Sequence, residues 1–322
     1  MSFIRTVLGD VDAEDIGITY SHEHIIIDES FATLENPDFL LNDVEKVSKE
    51  LKEVFHLGGR TMIDAMPANC GRNVSKLVEV SLKTGMNIVA PTGIHLEVYY
   101  PDDHWRYHYS EDQLTRLFVD DITLGIDRND YANPLEVDRT EHKAGLIKLA
   151  TGDDKITAHQ EKIFHAVVNA HKITGAPILT HTNYGALAME QVEQFSKLGA
   201  DLSHVVLSHV DRYKDVGYNR ELLQTGVNVE YDSAFRWSMG KENWTYKLLE
   251  ALLPEFPNQI TVGMDAARHT YWKSYGGNPG LIFLLTTFVD ELEKIGLSQY
   301  FNDLFVNNPK RLFAFSLGTS WF

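Results

Sequence analysis

A chain of 322 residues with 29 basic against 46 acidic side chains, net charge −17, lacks the basic footprint that nucleic acid or an anionic membrane requires. Its 43% hydrophobic content suits one large core, and its one cysteine, Cys70, excludes an internal disulfide and fits a reducing compartment. The opening MSFIRTVLGD is neither a secretory signal nor a transit peptide, and no apolar run is long enough to cross a bilayer, so a cytoplasmic location is expected.

In chain order, short β-rich runs alternate with helical patterns. Strands are expected at 17–24, 60–66, 87–95, 144–150, 177–181, 204–209, 227–232 and 260–265. Among the helices, 43–55 places Val44, Val47, Leu51, Val54 and Phe55 on one stripe and stops at Gly58-Gly59. The helix at 158–173 stops at Gly175 and Pro177. Strands this continuously apolar are buried on both faces, and eight strand–helix units predict closure into a (β/α)8 TIM barrel, an α/β fold. No glycine-rich phosphate loop follows any strand, which counts against an open nucleotide-binding sheet. With no linker or composition shift, 1–322 reads as one domain. The polar, turn-rich stretch 125–143 reads as a surface insertion before the fourth strand, and the segment after 307 (NPKRLFAF) as a C-terminal helix on the barrel's exterior.

The chemistry lies at the strand ends. His22 and His24 flank Glu23 in Tyr20-Ser21-His22-Glu23-His24, and residues two apart on a strand share a face, so both imidazoles would enter the barrel and share one zinc-like ion. Alone, such a pair is also what two ordinary strand-end histidines look like. The fourth strand closes in Gly145-Leu146-Ile147-Lys148, the fifth in Leu179-Thr180-His181, the sixth in Leu207-Ser208-His209 and the eighth in Gly263-Met264-Asp265. All fall at the C-terminal ends of strands, the face where barrel active sites assemble. As packing residues each would be a buried polar group in want of a partner; as a set they form a metal site.

The set HEH, GLIK, THT, SHVDR and GMDAA, with the opening TVLGDV…GITYSHEH and the closing NPKRLF, resembles the phosphotriesterase-like family of the amidohydrolase superfamily over essentially the whole chain. The resemblance implies two divalent ions, zinc first, with manganese, cobalt or iron as alternatives. His22, His24 and Asp265 would hold one ion and His181 and His209 the other. Lys148, carboxylated by CO₂, would bridge them. It also implies a hydroxide shared by the ions, its parent water lowered from a pKa of ~15.7 toward ~7. Asp265 would be the proton shuttle as well as a ligand, and a homodimer is the family expectation.

Substrate choice rests on the loops. Lys214, Lys241 and Arg268 lie just beyond the sixth, seventh and eighth strands, with Tyr271 three residues past Arg268, a combination suited to a phosphate or carboxylate clamp. This pattern resembles the branch of the family that opens phosphorylated sugar γ-lactones, and implies a small-molecule substrate of the pentonolactone 5-phosphate type. His95 and Tyr99, after the third strand, would line the pocket; His95 stands where many lactonases of the family carry tyrosine and paraoxon hydrolases tryptophan. The rival readings are the same site acting on an unphosphorylated lactone, ester, amide or phosphotriester, a metal-dependent sugar isomerase, for which Lys148 would be useless, and a non-catalytic metal-binding barrel.

Overall fold

The computed structural model describes residues 2–237 and 242–315. An antiparallel hairpin, β1 (Phe3–Thr6) and β2 (Gly9–Asp12), precedes the barrel. The barrel strands are β3 (Ile18–Glu23), β4 (Gly59–Asp64), β5 (Asn87–Val89), β6 (Pro91–Gly93), β7 (Leu146–Thr151), β8 (Ile178–Thr182), β9 (Val205–Ser208), β10 (Asn228–Tyr231) and β11 (Ile260–Val262). Every neighbouring pair is parallel, in the orders β3-β4-β5 and β6 through β11. The N–H groups of Met264 and Asp265 donate to the His22 carbonyl and join β11 to β3, completing the (β/α)8 ring. The third expected strand is split at Ala90. Pro91 has no N–H to continue the ladder, so β5 pairs toward β4 and β6 toward β7, with the Gly145 N–H donating to the Ala90 carbonyl between them. At Gly93 (φ 107°) a Cβ would stand 1.9 Å from the Lys148 carbonyl, so only glycine lets β6 lie this close to β7.

Helices cover the outside. Val44–His56 starts because the Asp43 carboxylate accepts the N–H groups of Glu45 and Lys46, and it buries Val47, Leu51 and Val54. Ala158–Thr174 opens with a Thr157/Gln160 capping box and ends at Gly175 in the left-handed region (φ 71°). Along β7 the period of two places Ile147 and Leu149 in the outer core under the helices. Leu146 instead joins Ile63, Val89, Leu179 and Val206 in a separate cluster inside the ring. That inner cluster continues into Ile4, Ala13 and Ile16 and into Leu312, Phe313 and Ala314. The expected exterior terminal helix is therefore corrected. It is a single turn, Asn308–Leu312, after a π-helical turn at Asp303–Asn307, and its apolar end closes the barrel floor together with Ile4, Ala13 and Ile16. Asn308 Nδ2 fixes it, donating to the carbonyls of Pro257 (2.8 Å) and Ile260 (2.7 Å).

The 125–143 stretch is also more than a surface excursion. Tyr131 is buried and donates to Asp121 (2.5 Å), while Arg72, fully buried, pairs with Asp121 and Asp130. Among the described residues no helix is long and apolar enough to cross a membrane.

His104 caps the short helix Trp105–His108, its Nδ1 accepting the Arg106 N–H and its Nε2 facing Asn69 Oδ1 at 2.7 Å. Burial, then the Arg106 charge, pushes its pKa down to about 4, below the ~6.5 of an unfolded histidine. The unfolded chain therefore takes up a proton first, and stability present above pH 6.5 is lost as the pH falls toward 4. His104→Asn keeps a capping oxygen without a titrating ring. Thermal unfolding at pH 7 and pH 5 should show a smaller drop in Tm for this variant than for the parent chain; equal drops would remove His104 from the acid response.

Candidate metal centre and substrate pocket

Six side chains meet at the C-terminal mouth of the ring. His22, at the end of β3, is fully buried, with Nδ1 2.9 Å from Ser208 Oγ and 3.3 Å from Glu230 Oε2, and Nε2 3.8 Å from Asp265 Oδ1. His24 Nε2 lies 3.2 Å from the same Asp265 oxygen, while its Nδ1 is buried without a hydrogen-bond partner. The His181 and His209 rings meet edge-on with centroids 4.6 Å apart, and His209 lies 4.8 Å from His22. Lys148 rises from the interior face of β7. It is wholly buried, and among the described residues its ammonium nitrogen is within hydrogen-bond reach only of His22 Nε2, at 3.4 Å. Burial pushes the Lys148 pKa down to about 8, against the opposing pull of Asp265 and Glu230.

Asp265 is the most heavily engaged group. One oxygen, Oδ1, faces the histidines; the other, Oδ2, accepts from Arg212 Nη2 (2.7 Å) and Arg236 Nη2 (2.9 Å). Burial alone would raise its pKa, but His209, Arg236, His24 and Arg212 hold the carboxyl well below its ordinary value. Asp265 and His209 both sit at positive φ (48° and 67°), uncommon for residues with a Cβ. The Glu23 carboxylate supports the first of these turns, accepting the N–H of Met264 (2.9 Å) on one side of Asp265 and of Ala266 (3.4 Å) on the other. His209 is oriented through Nδ1, 2.5 Å from Asp232. Desolvation lowers the pKa of His22, His181 and His209, so these imidazoles enter the site neutral, with lone pairs to offer.

The donor set suits divalent cations. Donor atoms of His22, His24 and Asp265 lie within 4.8 Å of one another, as do those of His22, His209, Glu230 and Asp232. Neutral imidazoles, carboxylates and an orphaned buried ring nitrogen are what hard-to-borderline metals take up.

Above this floor is a cavity of about 420 Å³. His95 and Tyr99 stand on one side, their rings edge-on at 4.7 Å; His95 Nδ1 accepts the Leu96 N–H. Arg268 and Tyr271 line the other side, with Arg268 paired to Asp38 and stacked over Phe39 at 4.6 Å. Lys214 is corrected. It is exposed, its ammonium stands over the Trp237 ring (4.7 Å), and it borders an adjoining depression with Asp153 and Asp215 rather than the main cavity. Lys241 lies outside the described residues. The wall also carries Arg212 and Arg236. From the sequence, Arg212, just past His209 in SHVDR, reads as orienting hydrogen bonds behind the ligands or as an ordinary salt bridge; Arg236 was missed, although it follows the seventh strand as a further cation, the same signal that marked Lys241.

The sequence model of the phosphotriesterase family matches residues 2–313. The chain belongs to the phosphotriesterase family. As a member it is a metal-dependent hydrolase, and the neighbouring folds agree. It is 33% identical to a phospho-furanose lactonase of Mycoplasmopsis agalactiae over 97% of this chain and 92% of that protein. An amidohydrolase from Mycoplasma synoviae superposes with a TM-score of 0.92 at 31% identity, covering 98% of this chain and 93% of the other. A lactonase from Listeria monocytogenes gives 0.88 at 31% identity, covering 98% and 99%. Within this phosphotriesterase-family barrel, His24, His181 and Asp265 of the strand-end set share one cavity with Arg212, Arg236 and Arg268.

Proposed function

We propose that the protein opens the ring ester of a phosphorylated sugar γ-lactone, of the pentonolactone 5-phosphate type, to the open phospho-sugar acid. The observation that carries this reading is the polarity of the cavity. Carboxylate and imidazoles form its floor, while Arg236, Arg268 and Tyr271 stand on its wall in a chain of net charge −17. The phospho-furanose lactonase named among the relatives supports it.

His22, His24 and Asp265 would hold one divalent ion, His181 and His209 a second, and Lys148, as its carbamate, would stand between them. Zinc is the ion we favour. The bound ions would supply Lewis-acid polarisation of the ester carbonyl and water activated near neutral pH. Carboxylation exchanges a buried ammonium, which has no carboxylate partner within salt-bridge distance among the described residues, for an anionic oxygen pair. Arg212 and Arg236 occupy Asp265 Oδ2, leaving Oδ1 to take the proton from the attacking water and return it to the ring oxygen as the acyl C–O bond breaks. Arg268 and Tyr271 would anchor the phosphate away from the reacting carbon, so that its binding energy orients the ring.

Steady-state kinetics of metal-loaded protein on matched lactones test this. Charge-assisted hydrogen bonds contribute about 1.5–3 kcal/mol each, so the phosphorylated lactone should be preferred by roughly 100-fold or more in kcat/KM. Equal efficiency on the unphosphorylated ring would exclude the phosphate anchor, and activity indifferent to chelation would favour a non-catalytic metal site.

A further inference from the structure

Arg236 joins the two ends of the cavity with one side chain. Its Nη2 donates to Asp265 Oδ2 (2.9 Å) and to the Asp265 carbonyl (2.5 Å), while Nη1 donates to the Tyr271 hydroxyl (3.2 Å). The guanidinium lies against both Phe235 (4.7 Å to the ring centre) and Tyr271 (5.0 Å), whose rings meet edge-on at 5.0 Å. A plain structural ion pair does not account for this geometry. Arg212 already neutralises Asp265 through the same oxygen at 2.7 Å, and the second arm of Arg236 is spent on a neutral phenol. Because Arg236 donates to the Tyr271 oxygen, the phenol's own proton is free to point at a ligand. An anion accepting that proton polarises the phenol and strengthens the Arg236–Tyr271 bond, fixing the fork that holds Asp265.

We propose that Arg236 is a positioning residue that couples capture of the substrate's anionic group at Tyr271 to the alignment of Asp265, so that remote binding is realised in turnover rather than in affinity. The proposal rests on the phosphorylated-lactone reading. Only a planar fork serves both ends at once; an ammonium at this position is a point charge that reaches one of them.

The test is steady-state kinetics on a phosphorylated γ-lactone and its unphosphorylated counterpart, for the metal-loaded parent and for Arg236→Met, Arg236→Lys, Tyr271→Phe and the Arg236→Met/Tyr271→Phe double variant. Metal content and thermal unfolding are measured alongside. On the phosphorylated ring, Arg236→Met should lose about 100-fold in kcat with KM moved less than about threefold, and Arg236→Lys should not restore it. The double variant should lose little more than Arg236→Met alone. The loss on the unphosphorylated ring should be at least about tenfold smaller. Added inorganic phosphate should accelerate the unphosphorylated ring in the parent more than in either single variant. If Arg236→Met fails to fold, Tyr271→Phe reads the same link from the other end through its kcat. A parent enzyme that favours the phosphorylated ring while Arg236→Met raises only KM, or while the two losses multiply, or while lysine rescues, overturns the coupling alone. A parent enzyme with no preference overturns the substrate reading and the coupling with it.

Discussion

Lys148→Ala is expected to lower kcat by about a thousandfold and to reduce bound metal, with partial recovery when acetate or propionate is added. The side chain it removes is fully buried on the inner face of β7 at the centre of the imidazole cluster, where, among the described residues, the amine is within hydrogen-bond reach of His22 alone. Alanine leaves a pocket the size of the lost chain, and a small carboxylate can enter it carrying the oxygen pair that a carbamate would present. Lys148→Arg should show no recovery, since a guanidinium does not react with CO₂ and fills the space. Metal analysis and kinetics in carboxylate buffers decide this. An alanine variant with parental activity and metal content would show that Lys148 is a core residue only.

Asp265→Asn should cost a similar factor in kcat and also weaken the fold. The amide keeps the shape but cannot take a proton at Oδ1, and it withdraws the negative charge that Arg212 and Arg236 share at Oδ2. Removing one partner of a buried pair typically costs about 3–5 kcal/mol. Here the loss should be at the lower end, because Arg212 retains Asp232 at 2.8 Å. Denaturant unfolding of the variant against the parent measures that part and single-turnover kinetics the other. Parental turnover in Asp265→Asn would move the proton to another group.

What the sequence made legible was whatever depends on period and position. The strand runs, the glycine stop at Gly175 and the cluster of His22, His24, Lys148, His181, His209 and Asp265 at one barrel face all follow from local pattern plus the rule that such sites gather at strand ends. The rest depends on contacts between segments far apart in the chain. Nothing local shows that Arg212 and Arg236, on different loops, converge on one oxygen of Asp265, or that Glu230 from β10 stands under His22. The middle residue of HEH carries no role in the local pattern; its side chain braces the Asp265 turn from across the β11–β3 seam. Lys214 and Arg268 show the same limit. Each lies in an expected loop, but Lys214 borders the neighbouring depression and Asp38 shares the charge of Arg268.

The barrel floor sets the order in which the molecule can be completed during synthesis. The strands are all present once residue 262 has been made, and Asp265 follows directly, yet the inner cluster that supports them includes Leu312, Phe313 and Ala314. A nascent chain at that stage carries the proposed metal-binding set above a base covered only in part, by Ile4, Ala13 and Ile16. The turn over 308–315, stacking Phe315 on Phe3 at 4.8 Å beside the first strand, completes that cover among the described residues. The turn at Leu312 thus acts as the keystone of a ring whose strands it takes no part in forming, and a chain cut before it would leave apolar surface of the inner cluster exposed.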